Sequence, residues 1–196
     1  MATPTTAAVA AWSPDKVAGG IAYLPPGTAL PTDASTALPA AAVALGYVSE
    51  DGIADASDAA STDDTVAWGG DVVATLTSTK RVARFTAKLL GVLDSDVLQY
   101  TFGDDQVTVT AATESTPTKI AVAENGTDPK SGIIVITGFY GGKLARIVVP
   151  NASAILNSED PMVHSAVSGL EVQVTCLPDE LGNVRYRYYE LDDATG

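Results

Sequence analysis

The stretch Gly20–Gly52, GIAYLPPGTALPTDASTALPAAAVALGYVSEDG, decides how the rest of the chain is read. Ile21-Ala22-Tyr23-Leu24 is a short apolar strand that stops at Pro25-Pro26-Gly27. Proline lacks the amide proton a sheet ladder needs and glycine relaxes the backbone, so this tripeptide is a turn. Pro31-Thr32-Asp33 is a second turn-rich segment. An alanine-rich piece then leads into Leu45-Gly46-Tyr47-Val48, which is expected to break at Ser49-Glu50-Asp51-Gly52. On chemistry alone this is two edge strands joined by a proline-rich loop, with nothing that resembles a catalytic site.

The order of these signals resembles the opening of the major tail tube subunits of long-tailed bacteriophages, especially those that infect actinobacteria. A strand ending in a Pro/Gly turn, a Thr-Asp turn, an alanine-rich approach and LGYVSEDG follow one another there as they do here. The resemblance is specific only within Gly20–Gly52. It implies a mainly β fold, a β-sandwich or flattened barrel with one short flanking α-helix. It further implies subunits that join sheets into hexameric rings and rings that stack into a hollow tube. Double-stranded DNA would pass through without specific binding, and a tape measure protein and a tail terminator would be the other partners. The subunit would be made in the host cytoplasm and end in the virion tail. Neither the helix nor Thr113–Lys130 carries a motif of that family.

Composition agrees with a β-rich core of small side chains. The 196 residues are 46% apolar but only 6% aromatic, and a chain of this length is most naturally one domain. No apolar run approaches the ~20 residues that span a bilayer. Residues 1–18 read as an N-terminal arm, without the basic start of a signal peptide and with Trp12 as an anchor able to dock it. A single cysteine, Cys176, excludes an internal disulfide and a cysteine-based zinc site. It lies in an alternating strand, where a buried, inert thiol is expected.

Eleven basic and 24 acidic residues give a net charge of −13, which argues against binding that relies on neutralising phosphates. The excess is uneven: up to Thr79 there are nine acids and one base. Ser49–Gly70 alone holds Glu50, Asp51, Asp55, Asp58, Asp63 and Asp64 with no base, and reads as one long acidic loop. Its acids lack the register and closing glutamate of a calcium loop.

Beyond it the chain alternates. Asp71–Thr79 is a strand. Along Lys80–Leu90, Lys80, Val82, Arg84, Thr86 and Lys88 share one face, while Arg81, Ala83, Phe85, Ala87 and Leu89 share the other. Leu93–Gly103 is a helix capped by Asp94 or Ser95, with a stripe of Leu93, Val97, Leu98 and Thr101 and a stop at Gly103. Val107–Ala111 alternates strictly, and Asn125-Gly126 has the residues of a tight turn. Ile133–Tyr140, Gly141-Gly142 and Lys143–Val149 spell a hairpin whose apolar run is too long to leave exposed. Leu170, Val172, Val174 and Cys176 alternate with Glu171, Gln173 and Thr175, and Val184–Leu191 is the last strand after a turn at Pro178–Gly182.

Chemistry is sparse. The lone His164 has no paired ligand in sequence, and the Gly-Gly pairs lack the pattern of a phosphate loop. No catalytic residue, metal or cofactor is expected. Two function classes remain: a self-assembling structural subunit, and a β-sandwich binding module such as a capsid-decorating or carbohydrate-binding domain. The second requires an aromatic platform, for which Tyr186, Tyr188 and Tyr189 are the candidates. For the first, the acidic segment is expected to contact the neighbouring ring through Glu50, Asp51, Ile53, Asp55, Asp58, Asp63, Asp64, Val66 and Trp68. The basic group Lys80, Arg81, Arg84 and Lys88 is the expected counter-surface. A neutral to acidic lumen would be lined by Gln106, Thr108 and Thr110 and by Glu171, Gln173 and Thr175.

Overall fold

A computed structural model of the chain describes residues 9–14, 20–58, 62–77, 82–126 and 130–191. In chain order the strands are β1 (Ser13–Pro14), β2 (Ile21–Leu24), β3 (Val43–Ala44), β4 (Val48–Asp55), β5 (Thr62–Val66), β6 (Val72–Thr77) and β7 (Ala83–Leu89). The helix α1 (Ser95–Phe102) follows, then β8 (Val107–Thr110), β9 (Lys119–Val122), β10 (Ser131–Tyr140), β11 (Lys143–Glu159), β12 (Leu170–Leu177) and β13 (Tyr186–Glu190). The fold is mainly β, as expected, with one helix and a large antiparallel sheet consistent with a β-sandwich. Its strand order is β3-β2-β10-β11-β12-β7-β4, with β1 beside β10 and β13 beside β11; β5-β6 and β8-β9 form two separate ribbons.

The centre is the β10–β11 hairpin. Its Gly141-Gly142 turn puts Tyr140 opposite Lys143, and Gly141 has φ +60, the left-handed value a two-residue hairpin turn requires. β11 then runs well past the expected Val149, straight through Pro150. The ladder accommodates the proline with a bulge: Gly132 faces Ala152 and Ile134 faces Val149, so Pro150 and Asn151 share the space opposite Ile133. On its other edge β11 pairs with β13 along Leu144–Val148 and with β12 along Asn151–Glu159. One long strand therefore serves two neighbours in succession, with Pro150 at the change.

The main core gathers Tyr23, Phe85, Leu89, Val97, Tyr100, Ile134, Val149, Val172 and Val174 from strands and helix. A second, smaller cluster of Leu24, Ile133, Val135 and Val148 lies beneath Leu30, Leu38, Ala42, Tyr186 and Tyr188. β10 is thus buried on both faces, which explains its continuous apolar run. Each fully buried aliphatic side chain stabilises the fold by roughly 1.5–3 kcal/mol.

The helix forms where expected. Asp94 Oδ1 accepts from the Asp96 amide at 3.0 Å, and the Gly103 amide, at φ +108, donates to Gln99 O at 3.0 Å. Its buried side chains are Val97, Leu98, Tyr100 and Thr101. Leu93 does not belong to that stripe: it precedes the cap and is 86% exposed. Tyr100 takes the place, its ring 5.6 Å from that of Tyr23.

Ser49–Gly70 is not one loop. Val48–Asp55 is a strand paired with β7, and the expected break at Ser49–Gly52 is a bulge within it. The register jumps from Val48 opposite Leu89 to Ile53 opposite Ala87, with Gly52 at φ +71 supplying the kink. Turn-forming residues bend this strand without ending it because β7 keeps offering ladder partners on both sides of the bend.

Of the expected arm, only residues 9–14 are described. Ser13 and Pro14 pair with Phe139 and Gly138, and the Trp12 ring lies 6.3 Å from Tyr189.

Candidate assembly surfaces

The clearest outward feature is the ribbon β5–β6. Its strands pair from Thr62 opposite Thr77 to Val66 opposite Val72. The turn closes through Ala67 N to Asp71 O at 2.8 Å and Gly70 N to Ala67 O at 3.1 Å, with Gly69 and Gly70 at φ +122 and +98. None of its residues belongs to either core cluster. Val66, Val72, Val73 and Leu76 are exposed, and Trp68 at the tip is fully so. Residues 62–77 include three acids (Asp63, Asp64 and Asp71) and no base. Thr75 Oγ1 donates to Asp64 Oδ1 at 2.7 Å, steadying one of them. A two-stranded ribbon is marginal in water by itself, and this one presents apolar area that the other described residues leave exposed.

The remaining acids of Ser49–Asp58 are placed differently. Because β4 lies beside β7, Asp58 meets Arg84 within the same subunit. Asp55 Oδ2 lies 3.0 Å from Arg185 and 3.9 Å from Arg187. Hydrogen bonds from Ser57, reinforced by Arg185, pull the Asp55 carboxyl down to about 2. Lys88 is also held internally, its Nζ 2.7 Å from Asp160, which raises its affinity for the proton. Two of the four expected counter-cations therefore have partners in their own chain, and Lys80 and Arg81 lie outside the described residues.

The alternation of β7 is as read: Ala83, Phe85, Ala87 and Leu89 are buried, and Arg84, Thr86 and Lys88 are partly exposed. Register adds what spacing could not. Glu171 faces Lys88, Gln173 faces Thr86 and Thr175 faces Arg84, so these residues form one face of one sheet. The basic stacking row and the neutral lumen row, separate in sequence, are a single mixed surface. Thr108 and Thr110 sit apart, exposed on the β8–β9 ribbon. Gln106 is not on a polar face at all. It is 5% exposed, its Oε1 accepts from Asn125 N at 3.1 Å, and its carbonyl accepts from Ala123 N at 2.9 Å. The alternation places this amide on the polar face of the strand after the helix stop; the structure uses it as an internal bracket.

Between β4, β13, β11 and the β1–β10 edge lies an open trench of about 700 Å³. Phe85, Ile53, Ile136 and Ile147 line it, with Glu50, Arg187 and Tyr189 also on its walls. Nothing in the alternation of VRYRYYEL distinguished this trench, because it exists only where β13 and β4 approach each other.

Sequence reading also missed the latch on the proline-rich segment 25–42. Arg146 is 5% exposed; its Nη1 donates to Asp33 O at 3.1 Å and Thr36 O at 2.8 Å. Glu190 Oε1 accepts from the amides of Ala34 and Ser35, each at 3.1 Å. The available signal was one arginine inside the apolar run KLARIVV, since a cation there requires dedicated acceptors. Of the three tyrosines expected as an aromatic platform, Tyr186 and Tyr188, stacked at 6.4 Å, pack on the second core beneath the same segment, while Tyr189 is exposed beside Trp12.

Cys176 is buried, and desolvation pushes its thiol up to about 11. His164 is exposed, and among the described residues no group of three or more His, Cys, Asp or Glu could hold a metal ion. No helix among them is long and apolar enough to cross a membrane.

No curated protein matches this chain. A family model described as phage tail tube protein matches residues 17–195, from before β2 to beyond β13. The match takes in the β-rich sheet, its helix and the projecting ribbon, and places the protein among structural components of the virion tail. The chain belongs to the phage tail tube protein family.

Proposed function

We propose that this chain is the repeating, non-catalytic subunit of the tail tube: six copies close into a ring and rings stack into a conduit for double-stranded DNA. The β5–β6 ribbon carries this reading. It exposes Trp68 and four aliphatic side chains that no other described residue covers, as a surface intended for another copy would. Asp63, Asp64, Val66 and Trp68 make the inter-ring contact, with salt-sensitive charge and salt-insensitive apolar area side by side. The free edge of β4 is available to extend the sheet between subunits within a ring.

The lumen face is Glu171, Gln173 and Thr175, together with Thr108 and Thr110. Arg84 and Lys88 share the first of these surfaces, but their charges are offset by Asp58 and Asp160. Such a lining holds phosphates weakly, which suits passage of DNA. The tape measure protein and a tail terminator are the tube's other partners.

Negative-stain microscopy of the purified protein tests the reading. Rings or tubes are expected, and replacing Trp68 with Asp should leave folded subunits that do not elongate. A protein that stays monomeric when concentrated, in the presence and absence of tail-extract initiators, would overturn it.

A further inference from the structure

The geometry points to the trench between β4 and β13 as the receptor for the β5–β6 tip of a second copy. This rests on the tail-tube reading and specifies which surface the ribbon meets.

Three observations support it. The first is size and chemistry. The trench is about 700 Å³ with an apolar floor of Ile53, Phe85, Ile136 and Ile147. Concavities of roughly 300–1,000 Å³ bury most of a ligand the size of an indole with flanking side chains. Trp68 with Val66 and Val72 is such a group, all three exposed at one end of the ribbon.

The second is location. Among the described residues, none of 62–77 lines the trench, so the ribbon does not fold back into the site of its own subunit. Each copy then carries one tip and one receptor built from different residues. That is a heterologous contact, which propagates from copy to copy.

The third is charge. The tip carries Asp63, Asp64 and Asp71 without a base, on a protein of net charge −13. Most concave surfaces of so acidic a chain would repel it. Here Arg185 and Arg187 balance Asp55 and Glu50, so the trench is neutral on an acidic chain, and Arg187, at 3.9 Å from Asp55, keeps its side chain about half exposed. It can turn towards an incoming aspartate. Tryptophan and arginine are also among the residue types that dominate interface hot spots.

The test is cross-linking between separately labelled chains. One preparation carries Ala67→Cys, beside the intact Trp68, and the other Glu50→Cys at the trench wall; both positions are exposed. Cys176 is buried and stays silent. The two are mixed, assembled and treated with a short bis-maleimide. A dimer joining the peptides of residues 67 and 50, formed only after assembly, is the expected result. In parallel, Arg187→Glu should slow elongation at least several-fold, and Asp63→Lys with Asp64→Lys in the same chain should restore part of it. Tubes that form with no 67–50 cross-link and are indifferent to Arg187→Glu would overturn the trench as receptor and leave the tube subunit standing. Absence of any assembly by the unmodified protein would overturn both.

Discussion

Replacing Arg146 with methionine removes the guanidinium that holds segment 25–42 over the second core. Two hydrogen bonds from a charged donor go, to Asp33 O at 3.1 Å and Thr36 O at 2.8 Å. Bonds of that kind contribute about 1.5–3 kcal/mol each, so the gross loss is ~3–6 kcal/mol. Against this stands the cost of burying the charge. Desolvation pulls the Arg146 pKa down, and its Nε is buried without a hydrogen-bond partner among the described residues. Methionine fills much of the same volume with no such cost, and exchanges of this type recover part of what the lost bonds contributed. The net expectation is a destabilisation of about 2–3 kcal/mol. With a urea m-value of about 2 kcal/mol/M, the midpoint should fall by roughly 1–1.5 M. Amide exchange locates the effect. Ala34 and Ser35, whose amides donate to Glu190, should exchange faster relative to the β10–β11 ladder, because their segment has lost its second tether. A methionine variant as stable as the parent, with unchanged exchange at Ala34 and Ser35, would refute the idea that Arg146 is a latch.

Gly132→Ala should cost about 2–3 kcal/mol, since overpacking a tight site costs ~1–3 and displacing a hydrogen-bonded tyrosine adds to it. A β-carbon there would stand 2.7 Å from Leu24 O and closer still to the Tyr23 ring, whose hydroxyl donates to Ser131 O at 3.1 Å. Thermal melting should read this as a drop of roughly 4–12 °C, and an unchanged melting point would contradict the close approach of β2 and β10. Asp55 is acidified from 3.8 to about 2 in the folded chain. Its contribution is therefore present above about pH 4 and lost as pH falls through about 2. Asp55→Asn should flatten the stability profile only in that acid window, and equal slopes for both proteins between pH 4 and 2 would count against the Arg185 and Ser57 contacts. Its carboxylate is half exposed, so the effect should also shrink in high salt.

Much of the fold is written in short-range pattern. Alternation along Ala83–Leu89 and Leu170–Leu177 specifies both strands and which side chains they bury, because a pleated strand turns successive residues to opposite faces. Asp94 and Gly103 bracket the helix, and Gly141-Gly142 sets the central hairpin, since each residue satisfies a local backbone demand. Turn chemistry is local too, but it specifies a bend and not its consequence. Ser49–Gly52 bends the chain as read, yet whether a bend ends a strand or becomes a bulge depends on the strand alongside, and β7 is far away in sequence.

The assembly surfaces divide in the same way. The acidic segment with Trp68 stands out in the sequence by its charge, but that Trp68 caps a two-stranded ribbon depends on the pairing of β5 with β6. Pairings across long separations were not legible. Asp58 meets Arg84 and Lys88 faces Glu171 only because β4, β7 and β12 are laid side by side, and Asp55 meets Arg185 only where β4 approaches the start of β13. Charge counts along the chain register how many ions there are, and the sheet register determines which of them neutralise each other. The trench and the Arg146 latch are likewise properties of approach between distant segments. Alternation, caps and turn residues specify the regular strands, the helix and the central hairpin, while strands inside the acidic segment and the pairing of its charges come from the fold, because contacts between distant residues leave no period in the chain.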